Sequence, residues 1–349
     1  MKKFLSLLLC ILLALTLIGC NNTDSDNSNG GGEKNPPETH VHTFVGNYNY
    51  CTDCNANIVS THQQLSEYIH NISSYDISTI KLDCDITFPS AYNWSAVGFN
   101  NGTLVFDGDG HTIKGLKYQL FGSMLSVDLT VKNLNVEQSC LQEDTSWSGY
   151  AVSSVFGFVL LQGGHPYDDS NFLFENVHIN NTVVTAVDYV GGFLAYVANQ
   201  YGCITIKNCS LNANLTTTGG GSIGGVVGHC YGDIDIDGLD IKSTTVITNS
   251  ADRKTFDRKV GGLVGTLQNG HYACVDSACH NSTYNPAMII VKNVTNSATI
   301  YYCNGISLAR PEVGANREMI GRAAEGQAEI SVYSYTFNGA YLNLADQDV

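Results

Sequence analysis

The chain has 349 residues, with 32 acidic against 17 basic ones, and its formal net charge is −15 at neutral pH. This acidic balance argues against nucleic acid and anionic membrane surfaces as partners. The 35 glycines and the low charged fraction of 14% indicate many tight turns around a packed core. We expect a monomer that binds no nucleic acid.

Residues 1–20 predict a secretion signal, because two lysines precede an apolar run that is short for a membrane span. Its end, Leu17-Ile-Gly-Cys20, resembles a bacterial lipobox, in which the cysteine is lipidated and becomes the first mature residue. The alternatives are an ordinary signal peptide or a short membrane span. Residues 21–39, rich in Gly, Ser, Asn and Pro, predict a disordered tether. We expect Cys20 to anchor the protein to the membrane of a bacterial envelope, facing outside the cytoplasm.

Residues 40–57 predict a small zinc-ribbon-like module. Zinc prefers four soft or borderline ligands in a tetrahedron, and the pairs His40/His42 and Cys51/Cys54 supply two imidazoles and two thiolates. A closed site of this kind is structural, so we expect one structural zinc. The alternatives are a Cys51–Cys54 disulfide or free thiols. The segment resembles short His-Thr-Phe and Cys-x-x-Cys modules at the edges of bacterial surface proteins, with Asn55 where such modules carry glycine.

Apolar residues at helical spacing predict a helix over 62–72, which would cap the N-terminal end of the domain that follows. That domain, 58–349, contains two kinds of repeat. A Gly-Gly pattern recurs three times at intervals of roughly 35 residues, beginning at Val190, Ile223 and Val260. A second pattern alternates apolar and polar residues around a central Asn or Gly.

The second pattern occurs five times, as Val131-Lys-Asn-Leu, Phe174-Glu-Asn-Val, Ile206-Lys-Asn-Cys, Ile236-Asp-Gly-Leu and Val291-Lys-Asn-Val. Each copy predicts a short half-buried strand, broken by a residue that tolerates left-handed backbone. Such strands bury their apolar faces only by stacking. We therefore predict an all-β, single-stranded parallel β-helix with an irregular C-terminal cap after residue 306.

Strand alternation assigns side chains to the core. It points Phe193, Ala195 and Val197 inward, and it places Thr266 on the outer face, where charge would be tolerated. It also places Cys209 and Cys230 in apolar columns, as small buried hydrophobes rather than as catalytic thiols.

The segment Phe106-Asp-Gly-Asp-Gly-His-Thr-Ile113, with Trp94 before it and Leu120-Phe-Gly122 after it, resembles secreted bacterial β-helix proteins that carry the GLUG repeat. This resemblance implies a pectin-lyase-like β-helix at the cell surface, without an established activity. From the residues alone, Asp107-Gly-Asp-Gly-His111 predicts a tight turn, with a calcium or catalytic site as the alternative.

Two further clusters carry chemistry. Asp233, Asp235 and Asp237 alternate along one strand and predict solvated acids on its outer face; the alternative is a bound cation such as calcium, or a catalytic role. Cys274 and Cys279 predict a disulfide that closes a loop, with metal binding as the alternative.

The sequence favours a non-enzymatic surface lipoprotein that presents a ligand-binding or adhesive surface to a glycan or a surface protein. Its 19 tyrosines are consistent with such contacts. The alternative is a polysaccharide lyase or glycoside hydrolase of the pectin-lyase-like type, which would need converging carboxylates.

Overall fold

The computed structural model describes residues 42–45, 49–72, 77–92, 94–147, 150–159, 170–219, 221–249, 259–268, 287–302, 318–323 and 328–343. All of these belong to one unit, His42–Val349. The predicted signal, tether, lipidated Cys20, ligand His40 and Cys274–Cys279 disulfide lie outside the described residues. They remain predictions.

The described chain begins with three short antiparallel strands, β1 (Phe44–Val45), β2 (Tyr50–Cys51) and β3 (Ala56–Val59). Helix α1 (His62–His70) follows, with Thr61 and Gln64 forming a capping box at its start. Its buried residues Leu65, Tyr68 and Ile69 join the main hydrophobic core. The predicted helix is confirmed, although it ends at His70, slightly before residue 72.

The strands after α1 are, in chain order, β4 (Thr79–Leu82), β5 (Ile86–Thr87), β6 (Phe99–Asp107), β7 (Thr112–Lys114), β8 (Ser123–Glu137), β9 (Cys140–Leu141), β10 (Asp144–Trp147), β11 (Tyr150–Ser153), β12 (Gly157–Val159), β13 (Asn171–Ala186), β14 (Tyr189–Gly191), β15 (Leu194–Thr217), β16 (Ser222–Gly224), β17 (Val227–Ile241), β18 (Val246–Asn249), β19 (Val260–Gly261), β20 (Val264–Gln268), β21 (Ala287–Asn296), β22 (Thr299–Tyr302), β23 (Ile320–Ala323), β24 (Ala328–Val332), β25 (Tyr335–Phe337) and β26 (Ala340–Asn343). They form two sheets. Strands β10, β11, β14, β16 and β19 make the smaller one, called the second sheet below.

Parallel ladders dominate the larger sheet. Strand β6 pairs with β8, β8 with β13, β13 with β15, β15 with β17, and β17 with β21, all in parallel. Within the described ranges, the antiparallel pairs are β1–β2, β2–β3 and β10–β11. The predicted all-β architecture with an N-terminal helix is confirmed. The stacking also continues past residue 306, where the sequence shows no repeat and predicts an irregular cap. There β24 pairs in parallel with β21.

The main core consists of columns of apolar side chains, one from each stacked strand. Cys209 lies in the predicted column with Leu134, Val177, Leu239 and Val294. Burial raises the pKa of the Cys209 thiol to about 12, so the thiol stays neutral. Cys209 therefore acts as a core residue, as the sequence predicts.

The central residue of the second repeat forms a ladder of left-handed backbone. Asn133, Asn176, Asn208 and Asn293 have φ values of 52°, 53°, 51° and 52°, and Gly238 has a φ of 84°. The Asn176 side chain also donates a hydrogen bond to Asn133 Oδ1 at 3.1 Å. The prediction of a left-handed residue at this position is confirmed.

Substitution of Asn176 should separate the backbone and side-chain roles of this ladder. Asn176→Ala should lower the free energy of unfolding by about 1–2 kcal/mol, since alanine resists left-handed backbone and loses the hydrogen bond. Asn176→Gly should cost less, because glycine adopts this φ freely. Urea denaturation measures both, and equal losses would contradict a backbone requirement.

The inward assignment at the Gly-Gly repeat is correct for Phe193 and Val197 but wrong for Ala195. Phe193 and Leu194 both join the main core, because the chain turns a corner between β14 and β15. Ala195 belongs instead to a separate cluster with Val152 and Phe158. Alternation fails here because a corner lets two consecutive residues face the same core.

Thr266 is buried, contrary to the sequence prediction. Only 2% of it is exposed, and its hydroxyl lies 2.7 Å from that of Ser222, in β16 of the second sheet. The strands after each Gly-Gly corner are therefore covered on both faces. Close approach explains the small residue at Gly265, where an added Cβ would lie 2.5 Å from Ile223 N.

Charge at position 266 should therefore destabilise the fold. Thr266→Asp should cost several kcal/mol, because it buries a carboxylate that the Ser222 hydroxyl only partly satisfies. Asn214→Asp is the matched control, since Asn214 is exposed on β15, and it should cost well under about 1 kcal/mol. If thermal denaturation shows both variants to be equally stable, the two-sided burial of β20 is wrong.

Candidate functional site

Three predicted metal ligands meet at the start of the described chain. The ligand atoms of His42, Cys51 and Cys54 all lie within 4.8 Å of one another. Cys51 ends β2 and is buried, while Cys54 lies in the turn before β3. Asn55, at the position where similar modules carry glycine, closes that turn with a φ of 51°, a left-handed conformation that asparagine tolerates.

The cluster is held together by polar contacts. Cys54 Sγ lies 3.4 Å from His42 Nδ1, and His42 Nε2 lies 3.1 Å from Asp83 Oδ1. Burial alone lowers the pKa of His42, but interactions with Cys51 and Asp83 outweigh it and raise the pKa. Burial and the nearby Cys51 raise the pKa of the Cys54 thiol. Sequence analysis missed Asp83, which comes from the turn after β4.

Two of the three acids of β17 accept hydrogen bonds from the neighbouring strand β21. Asp233 accepts a hydrogen bond from the Met288 backbone N–H at 2.8 Å, and Asp237 accepts one from the Asn293 side chain at 2.8 Å. One buried oxygen of Asp235 has no hydrogen-bond partner among the described residues. The acids are partly buried rather than freely solvated.

Asp237 belongs to a longer row that we call the charge ladder. Its members occupy the same register position on successive strands and alternate in sign: Lys81, Asp107, Lys132, Glu175, Lys207, Asp237 and Lys292. Lys207 and Lys292 therefore occupy the register positions on either side of Asp237. From Lys132 onward these residues precede the central Asn or Gly of the second repeat, so aligning the repeat copies would have revealed the ladder.

Asp107, which lies between Lys81 and Lys132 in the ladder, also shapes the predicted turn. Its carboxylate accepts a hydrogen bond from the Asp109 N–H at 3.0 Å and lies 3.2 Å from Lys132 Nζ. Burial alone raises the pKa of Asp107, but these contacts and a hydrogen bond from Asn133 outweigh it and lower the pKa. The turn at 107–111 is confirmed, with Asp109 at a φ of 50°.

The lowered pKa predicts a pH-dependent contribution to stability. A carboxylate with a depressed folded-state pKa stabilises the fold above its unfolded-state pKa, and this contribution disappears as pH falls through the folded-state pKa. Asp107→Asn should therefore lower the free energy of unfolding by about 1 kcal/mol at pH 7 and by less at about pH 3, which lies below the unfolded-state pKa of about 3.9. Denaturation at both pH values tests this. The exposed Glu143, substituted by Gln, is the control, and an equal cost for Asp107→Asn at both pH values would contradict the argument.

A cluster of rings, the aromatic cluster, lies where the second sheet meets the larger one. It consists of Tyr189, Tyr196, His229 and Tyr231, whose neighbouring ring centroids are 4.9–6.0 Å apart. Tyr196 and His229 are each 8% exposed, whereas Tyr189 and Tyr231 are half-buried. Sequence analysis missed this cluster, because Tyr189 and Tyr196 lie on different sheets.

Within the described ranges, no disulfide joins any two of the seven cysteines, which are Cys51, Cys54, Cys84, Cys140, Cys203, Cys209 and Cys230. Burial strongly raises the pKa of the Cys230 thiol, as expected for an inert core residue.

In the part of the chain that the structure describes, no helix has the length and apolarity to cross a membrane.

Comparison with known proteins places residues 57–219 within a family model described as "Putative pectate lyase-like adhesive domain". Together with the parallel ladders, this match shows a pectin-lyase-like, β-rich fold. The comparison with curated proteins found no match.

Two solved structures were also found. A Bacteroides ovatus protein described as a "putative immunoglobulin A1 protease" is 16% identical, with a TM-score of 0.45 over 84% of this chain and 85% of that one. The second, described as SRRP of L. reuteri 53608, is 14% identical, with a TM-score of 0.28 over 81% of this chain and 99% of that one.

Proposed function

We propose that this chain is a non-enzymatic, adhesive cell-surface protein whose parallel ladders wind as one β-helix. The main support for this proposal is the match of residues 57–219 to a family model for an adhesive pectate-lyase-like domain. The charge ladder supports a non-catalytic role, because it places Lys207 and Lys292 beside Asp237, in register on the adjacent strands. A glycosidase or lyase needs carboxylates that converge on the substrate.

The ligand that fits the described surface best is a glycan of low charge. Aromatic rings stack on sugar faces, and the aromatic cluster presents the half-buried Tyr189 and Tyr231. A net charge of −15 disfavours strongly acidic polymers. A surface-protein partner would use the same tyrosines as interface anchors.

Parallel binding and cleavage assays test this function. The purified protein is screened against neutral and acidic polysaccharides, and each mixture is assayed for bound protein and for new reducing ends or unsaturated products. We expect binding of neutral glycans without cleavage. Tyr189→Ala and Tyr231→Ala should weaken binding about tenfold or more, whereas Tyr333→Ala, at an exposed tyrosine elsewhere, should leave it unchanged. Release of products would support the lyase or hydrolase alternative.

We also propose that Cys20 is the lipid attachment site and that residues 21–39 act as its tether. Support comes from the Leu17-Ile-Gly-Cys20 pattern and the polar sequence directly after it. One lipidated cysteine would hold the protein at the outer side of a bacterial membrane.

Replacing the acylated thiol tests the anchor. Cys20→Ala should leave the membrane fraction or remain unprocessed, since the lipid can no longer be attached. Cell fractionation and intact-mass measurement of the mature protein report this, with Cys10→Ala as the control inside the signal. A Cys20→Ala protein that partitions into membranes with wild-type mass gain would rule out this attachment site.

A further inference from the structure

The His42 ring is oriented by contacts on both of its nitrogens. Nδ1 faces Cys54 Sγ at 3.4 Å, and Nε2 faces Asp83 Oδ1 at 3.1 Å. The second carboxylate oxygen of Asp83 accepts a hydrogen bond from the Ser60 hydroxyl at 3.3 Å. The carboxylate is therefore held in place, and it fixes which imidazole nitrogen points toward the two sulfurs.

We propose that His42 Nδ1 and the sulfurs of Cys51 and Cys54 bind one zinc ion, and that Asp83 is the residue that positions His42 by accepting its Nε2–H. Two thiolates with an imidazole form a donor set that binds zinc in preference to harder cations. Binding deprotonates both thiols, and the two protons pass to the solvent. A carboxylate on the far nitrogen fixes the tautomer and strengthens the imidazole as a ligand.

The site would join two parts of the fold. His42, Cys51 and Cys54 come from the segment around β1 and β2, whereas Asp83 follows β4, the first strand after the helix. The buried residues of this segment form a cluster of their own, made of Cys51, Ala56 and Ile58. So small a core contributes little stability, and a metal would supply what it lacks.

Metal content and thiolate signature test the ligands. The full chain, kept reduced in detergent, should bind about one zinc, and its cobalt derivative should show thiolate-to-metal charge transfer and the intense visible bands of a tetrahedral site. Cys51→Ser and Cys54→Ser should each weaken these bands and the affinity. Cys84→Ser is the matched control, because Cys84 is also half-buried near Asp83 but lies outside the cluster, and it should bind normally.

Asp83 is tested separately by the nature of its side chain. Asp83→Leu should reduce zinc affinity about 10- to 100-fold, whereas Asp83→Asn, which keeps an acceptor for Nε2–H, should retain most of it. Since Asp83 is 45% exposed, both variants should fold, and circular dichroism checks this. In a cadmium derivative with labelled histidine, metal coupling should appear on His42 Nδ1.

Three results would overturn the proposal: a reduced, folded chain that binds no zinc, a cobalt spectrum without thiolate bands, or metal coupling on Nε2. Wild-type affinity in Asp83→Leu would refute the positioning role. None of these measurements depends on an adhesive ligand, so failure of the proposed function would leave them unaffected.

Discussion

The structure depends on one constraint, the in-register stacking of parallel strands, which places each residue directly beside its counterpart in the next strand. Adjacent strands lie about 4.8 Å apart, so equivalent side chains contact one another along a column. Apolar residues at equivalent positions bury their side chains against one another and so stabilise the stack, as in the column that contains Cys209. Asparagines also tolerate it, because an amide both donates and accepts, as Asn176 does toward Asn133.

Charged residues respond to the same constraint differently. Like charges on directly paired residues repel, so a column of identical acids would destabilise the stack. The charge ladder alternates in sign over seven strands, and Asp107 and Lys132 approach to 3.2 Å. The acids of the ladder therefore have a role in strand stacking that requires no ligand.

Sequence periodicity predicted what repeats along the chain and missed what packs from another sheet. The Asn ladder and the Cys209 column follow from residues that recur at equivalent positions. Thr266 was placed on the outer face because alternation assumes one buried face, whereas the second sheet covers the other through Ser222. The sequence likewise identified His42, Cys51 and Cys54, which are close together along the chain. It did not identify Asp83, because no local sequence pattern relates the turn after β4 to a histidine before β1.

The cluster of His42, Cys51 and Cys54 lies at the start of the described chain, next to an end of the strand stack. The ends are the least stable parts of any stacked fold. Inner strands of the stack are covered by neighbours on both sides, but a terminal strand exposes one edge of the sheet and needs a cap. Here β3 pairs in parallel with β4, while β1 and β2 contain only two residues each and pair antiparallel. Strands this short bury too little apolar surface to hold themselves in place. The proposed zinc would cross-link these strands through His42, Cys51 and Cys54, and Asp83 would connect His42 to the turn after β4. Four side chains, rather than a larger core, would then stabilise the cap.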